Sequence, residues 1–233
     1  MPVRVVLAFV AAIALAPQPA SAVLAAPEDN LDGVLARLDV AAANFHSTSA
    51  DVEFDQIETE PIPDTDVWKG VAYYERKDAA VRMGVHFSQH NGKPSGKAYT
   101  YIDRTFKVFE PGINQVTTYT KAAKWEGYVI LGFGASGKDL QTKWDIQDLG
   151  PETLDGVKTE KLELIAKDLD VRRNVSKVDI WVDADHAVSL KQVFTLSATS
   201  TYTCHYSNFK FNASLPADAF TFKTDRQTVE RTQ

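Results

Sequence analysis

Between Trp68 and Phe87, apolar residues recur at every second position in two consecutive runs. Trp68, Gly70, Ala72, Tyr74 and Arg76 share one parity of the first run, and Val81, Met83, Val85 and Phe87 share one parity of the second. This period of two predicts strands with one face turned to an apolar interior. Similar runs predict strands at 50–56, 67–76, 80–88, 98–102, 105–109, 115–120, 142–149, 158–166, 176–182, 188–196, 201–211 and 220–223. Turn residues separate them, among them Pro61-Ile62-Pro63-Asp64, Asn91-Gly92, Asp103-Arg104, Pro111-Gly112 and Asp183-Ala184-Asp185-His186.

Two stretches depart from this period. Asn30 is placed to cap a helix whose apolar positions Leu31, Val34, Leu35, Leu38 and Phe45 follow helical spacing. In the segment 121–138, Ala122, Ala123, Trp125, Tyr128, Val129, Ile130 and Leu131 cluster ahead of Gly132, Gly134 and Gly137, which predicts a short helix with flexible ends. The fold class is therefore mainly β with a few helices. About eleven antiparallel strands in series curl, and their concave face is closed on itself or filled by helices. No internal repeat or linker divides the chain, so 23–233 is expected to be one domain.

Met1 to Arg4, an apolar run from Val5 to Ala16 and Ala20-Ser21-Ala22 have the layout of an export signal, with cleavage expected near Ala22. The run is about 12 residues long, against the roughly 20 that a spanning helix needs. The expected location is outside the cytoplasm. The formal charge of −6 argues against nucleic acid and against tight binding to anionic lipid surfaces. Cys204 is the one cysteine, so no internal disulfide forms, and its place between Tyr202 and Tyr206 in an alternating run predicts a buried, inert thiol. With no cysteine following the expected cleavage site, the mature protein is expected to be free of a lipid anchor.

Candidate chemistry is sparse. Gly132 to Lys138 matches the outline of a phosphate-binding loop, but Asp139 stands where a magnesium-binding hydroxyl is needed and no βαβ unit surrounds it. A hinge is the better reading. His86 and His90 lack a third ligand at metal spacing, and Asp179, Asp183, Asp185 and His186 read as turn formers. No nucleophile elbow is present. The expectation is no enzyme, no cofactor and no metal.

The run Tyr101-Ile-Asp103-Arg-Thr-Phe106-Lys-Val108-Phe109-Glu-Pro111-Gly-Ile-Asn-Gln115-Val116 resembles a strand pair of the LolA/LolB-like superfamily of outer-membrane lipoprotein carriers. The passage Phe45 to Gln56, the run Gly70 to Arg76, the stretch Leu149 to Leu164, Trp181-Val-Asp183 and Phe220-Thr-Phe222 are similar to further parts of that family. Lys77, Arg104, Met83 and the Pro61-Ile62-Pro63 insertion depart from its pattern. The resemblance implies an open, unclosed β-barrel wrapped around a helical lid. It implies a monomeric periplasmic carrier that takes a lipidated protein, or lipid acyl chains, from an inner-membrane releasing complex to an outer-membrane acceptor.

On that reading Trp68, Tyr74, Val81, Met83, Val85, Phe87, Tyr101, Phe106 and Val108 line the ligand cavity. Trp125, Tyr128, Val129, Ile130 and Leu131 form the lid, and Arg76 bonds lid carbonyls as a switch. Two alternatives stay open: Arg76 ends a strand in solvent, or the same fold serves as a lipid-sensing or lipoprotein-sensing regulatory protein.

Overall fold

The computed structural model describes residues 30–77, 80–120 and 126–233; the expected export signal and Trp125 lie outside the described residues. The first helix, α1 (Leu31–Asn44), starts where Asn30 Oδ1 accepts a hydrogen bond from the Gly33 amide at 3.0 Å. Its apolar face is buried through Val34, Leu35, Leu38, Ala41 and Ala42. The strands that follow are β1 (Ser47–Glu58), β2 (Asp64–Lys77), β3 (Ala80–His90), β4 (Lys93–Pro94), β5 (Ala98–Ile102), β6 (Thr105–Glu110) and β7 (Gln115–Tyr119). Next come two helices, α2 (Glu126–Val129) and α3 (Gly137–Lys143), and then β8 (Trp144–Leu154) and β9 (Val157–Ala166). A short α4 (Leu169–Arg172) leads to β10 (Lys177–Asp183), β11 (Val188–Thr195), β12 (Ser200–Phe211) and β13 (Val229–Thr232).

These strands form one 13-stranded sheet in the order β13-β7-β6-β5-β3-β2-β1-β12-β11-β10-β9-β8, with β4 paired to β3. The terminal strands β8 and β13 do not pair with each other, so the sheet is an open half-barrel. Pairing among the described residues is antiparallel except between β13 and β7. The alternation read from the sequence sets which face is buried: Ala72 and Tyr74 of β2 and Met83, Val85 and Phe87 of β3 all point into the core. A bulge in the β2–β3 pairing between Lys69 and Gly70, with Ser88 as the extra residue, shifts the parity of β3 there, so that His90 stands opposite Trp68.

The concave face holds two apolar clusters. One joins α1, α3 and the strands β8 to β10, through Leu35, Leu38, Leu140, Trp144, Leu162, Leu164 and Ile180. The other joins Phe45 and Phe133 to β1, β2, β3, β5, β11 and β12.

Three elements differ from the sequence reading. The strand expected at 142–149 begins at Trp144, because Ser136 caps α3: its hydroxyl accepts from the Asp139 amide at 3.1 Å while Asp139 accepts from the Ser136 amide at 3.2 Å. The glycine-rich stretch expected to be a hinge therefore leads directly into a capped helix. Residues 220–223 are not a strand. Their alternation instead serves a strap across the convex face, where Phe220 lies 4.0 Å beneath the Arg82 guanidinium and Phe222 stacks on Phe109 at 5.3 Å. The final strand, β13, comes later and pairs with β7.

Candidate ligand cavity

Under the concave face lies a cavity of about 360 Å³ lined by Val52, Phe54, Tyr74, Met83, Val85, Phe87, Tyr99, Phe106, Tyr128, Val129, Val175, Gln192, Phe194, Leu196, Tyr202, Cys204 and Tyr206. The lining carries no formal charge. Burial pushes the Cys204 thiol and the Tyr128 hydroxyl each up to about 12, and it also raises Tyr74, Tyr99 and Tyr206. The polar atoms of the wall are thus neutral donors, with the Tyr74 and Tyr206 oxygens 3.4 Å apart.

Segment 126–136 docks across this face as a plug. Phe133 is fully buried, stacked on Tyr74 at 3.6 Å with rings 4° from parallel and edge-on to Tyr206 at 4.9 Å. The backbone around it is tied to the sheet. The Ser189 amide donates to the Gly132 carbonyl at 2.7 Å and the Gly134 amide to the Ala187 carbonyl at 2.8 Å. Gln192 Nε2, on β11, donates to the Leu131 carbonyl at 2.6 Å, and Arg76 Nη2 donates to the Gly134 carbonyl. Gly134 has φ +68° and a Cβ there would fall 2.5 Å from the Phe45 ring, so both the backbone and the space require glycine. Arg76 Nε is buried and has no hydrogen-bond partner among the described residues.

Of the residues singled out from the sequence, Tyr74, Met83, Val85, Phe87, Phe106, Tyr128 and Val129 meet in the cavity wall. Tyr101 is buried beside it, and its hydroxyl donates to Glu126 Oε1 at 3.1 Å, which ties the start of α2 to β5. Trp68 does not line the cavity: it packs behind Phe87 at 5.7 Å and is stacked on His90 at 3.7 Å in a separate hollow, with the Lys97 ammonium 4.6 Å from its ring centre. Val81, Ile130 and Leu131 line a smaller hollow of about 150 Å³ that also contains Arg76. Val108 is half-buried between Tyr99 and Thr117 on the neighbouring strands and does not line the cavity.

Sequence reasoning missed the part of the wall built by β11 and β12, the lining residues Val52, Phe54 and Tyr99, and also Phe133 and Gln192. Signals for the last two were present. A lone aromatic residue between two glycines marks Phe133, and a glutamine inside the apolar row Val188, Leu190, Phe194 marks an internal hydrogen bond.

No protein-family profile matches the chain. An uncharacterized protein of Methanocaldococcus jannaschii is 28% identical over 119 residues, which is 51% of this chain and 33% of that protein. The chain thus spans about a third of the length of that curated relative. Among solved structures, an uncharacterized conserved protein from Thermus thermophilus superposes with a TM-score of 0.53 at 12% identity, covering 87% of this chain and 98% of that one. MucB superposes with a TM-score of 0.51 at 12% identity, covering 85% of this chain and 65% of that one. A LolA superfamily protein from Nitrosomonas europaea gives a TM-score of 0.40 at 16% identity, covering 83% of this chain and 98% of that one. The chain shares its fold with the Thermus protein and MucB, and its structural neighbours include outer-membrane lipoprotein-sorting and LolA superfamily proteins.

Proposed function

We propose that the chain is a periplasmic carrier that shelters the acyl chains of a lipidated protein or a lipid in the half-barrel cavity and passes them towards the outer membrane. One observation carries the reading: an uncharged apolar cavity lies beneath a plug whose backbone carbonyls and amides are hydrogen-bonded to the sheet and whose Leu131 and Phe133 are buried against it. Each methylene kept out of water is worth roughly 0.8 kcal/mol, so an acyl tail of about a dozen carbons supplies free energy of the order needed to displace a plug held by a few hydrogen bonds and one buried ring worth about 3–5 kcal/mol. Arg76 then acts as the switch. It bonds Gly134 when the plug is docked and loses that partner when cargo enters, which makes the loaded state prone to release. An inner-membrane releasing complex would load the carrier and an outer-membrane acceptor would empty it.

The first test is mass spectrometry of an organic extract of the native protein purified without detergent. Bound acylated material is expected; an empty extract together with no binding of a fluorescent fatty acid overturns the proposal. Depletion of the protein should then stall lipoproteins or lipids at the inner membrane. Intact sorting with altered envelope gene expression would identify a sensor on the same fold instead. An Arg76→Leu variant should bind an acyl probe at least as tightly as the native protein and transfer it more slowly to acceptor vesicles. Unchanged transfer would remove Arg76 from the switch.

A further inference from the structure

Nine of the seventeen residues lining the cavity are aromatic, in a chain that is 10% aromatic overall. They are not scattered. Tyr202 of β12, Phe54 of β1, Phe87 of β3, Tyr99 of β5 and Phe106 of β6, continued beyond the lining by Tyr119 of β7, form a belt of rings across the strands, with successive centroids 5.5, 6.3, 5.2, 5.6 and 6.1 Å apart. Saturated chains need only apolar area, which branched aliphatic residues supply equally well. A belt of ring faces and edges adds, for a flat conjugated ring, an attraction of about 0.5–1.5 kcal/mol per ring pair beyond its area, which a saturated uncharged ring does not return.

The molecule already holds one flat ring in this setting. Phe133 sits face-on to Tyr74 and edge-on to Tyr206, and it leaves with the plug if the plug is displaced. The polar groups beside that position are the paired Tyr74 and Tyr206 hydroxyls and the Cys204 thiol, which are neutral donors suited to a carbonyl oxygen and unsuited to balancing a charge.

We propose that the cargo of this cavity is a lipid whose polar end is a flat, uncharged, conjugated ring bearing carbonyl oxygens, the chemistry of a prenylated quinone. The ring takes the place of Phe133 against Tyr74 and Tyr206, in the cavity that the belt also lines, and the tail lies along Val52, Met83, Val85 and Val129. This inference rests on the carrier reading and narrows its cargo.

The test compares two ligands that differ in ring flatness. The first is a 1,4-benzoquinone carrying one decyl chain and methyl groups at the remaining ring positions. The second is the corresponding cyclohexane-1,4-dione, with the same tail and carbonyls on a puckered ring. Each is titrated against the delipidated full chain loaded with dansyl-labelled undecanoic acid.

The quinone should displace the probe at a concentration at least about fivefold lower, the low end for two ring contacts. In a Tyr74→Leu variant, which removes the ring face that Phe133 occupies and is shown by circular dichroism to be folded, the ratio of the two displacing concentrations, each corrected for that variant's own probe affinity, should move towards one. Equal potency in the native protein, or no displacement of a bound probe by either compound, overturns the inference and leaves the carrier reading standing. Failure to bind the acyl probe at all overturns both.

Discussion

Truncating Phe133 to alanine tests whether segment 126–136 is a displaceable plug or a fixed part of the core. The ring is fully buried, stacked on Tyr74 at 3.6 Å and edge-on to Tyr206 at 4.9 Å. Removing such a side chain costs about 3–5 kcal/mol. If the closed plug lost that much and could open only by global unfolding, the melting temperature would fall by at least roughly 6–12 °C, at about 2–4 °C per kcal/mol for a domain of this size.

A plug that opens by itself behaves differently, because the sheet then feels at most the free energy of plug opening in the native protein. Amide hydrogen exchange separates the two cases. In the native protein, the Gly134 and Ser189 amides, which bond Ala187 and Gly132, should exchange faster than the β1–β2 ladder amides. In Phe133→Ala they should lose most of their remaining protection, while the ladder loses no more than that opening free energy. Apolar ligands should bind more tightly to the variant, since less free energy is spent on displacing the plug. A single protection factor shared by plug and ladder in the native protein, falling together in the variant, would refute a separate plug.

Further substitutions address single contacts. Gln192→Leu keeps the side chain's approximate size but strands the buried Leu131 carbonyl, and it should cost about 1–3 kcal/mol in urea unfolding; unchanged stability would discount this latch. Gly84→Ala would place a methyl 1.8 Å from the Ala219 carbonyl oxygen, so the strap over the convex face should lift and residues 213–228 should be cut sooner in limited proteolysis. An unaltered cleavage pattern would show that the strap is not seated by this contact. The Cys204 thiol, raised by burial to about 12, should react with iodoacetamide at pH 8 far more slowly than a free thiol, and at a free thiol's rate only if the cavity wall is open to water.

Cys204 and Tyr128 are both raised to about 12 by burial, so the unfolded chain loses their protons first. Their contribution to stability is complete below their ordinary values near 9 and 10 and is lost as pH rises towards about 12. Unfolding free energy measured between pH 8 and pH 12 should therefore fall, and a flat profile would contradict the burial.

The sheet was largely legible because alternation is a local signal. The parity of Ala72, Tyr74, Met83, Val85 and Phe87 reports their burial directly. What the sequence could not separate was cavity from core, since both present the same apolar row to the concave face. The β12 row Tyr202, Cys204, Tyr206 was visible as an alternation, but nothing in it says that the space it faces is open. Phe220-Thr221-Phe222 alternates too, yet its amides turn back on their own segment, with Thr221 donating to the Asp218 carbonyl, so no ladder forms. Strand β13 carries little apolar signal. Its place beside β7 depends on Asn114, whose carbonyl accepts from the Val229 amide and whose side chain accepts from the Thr228 hydroxyl, a contact between distant parts of the chain.

An unclosed barrel leaves a margin that another molecule could extend. The outer side of β8 meets no strand among the described residues, and a long unguarded ladder of that kind is a template for fibre growth. Here the ladder is broken between Asp148 and Pro151, where Gly150 has φ +88° and donates to Asp148 Oδ1 at 2.8 Å, and Pro151 has no amide to offer. The irregularity halfway along β8 thus lets the molecule keep an open trough without its edge seeding polymerisation.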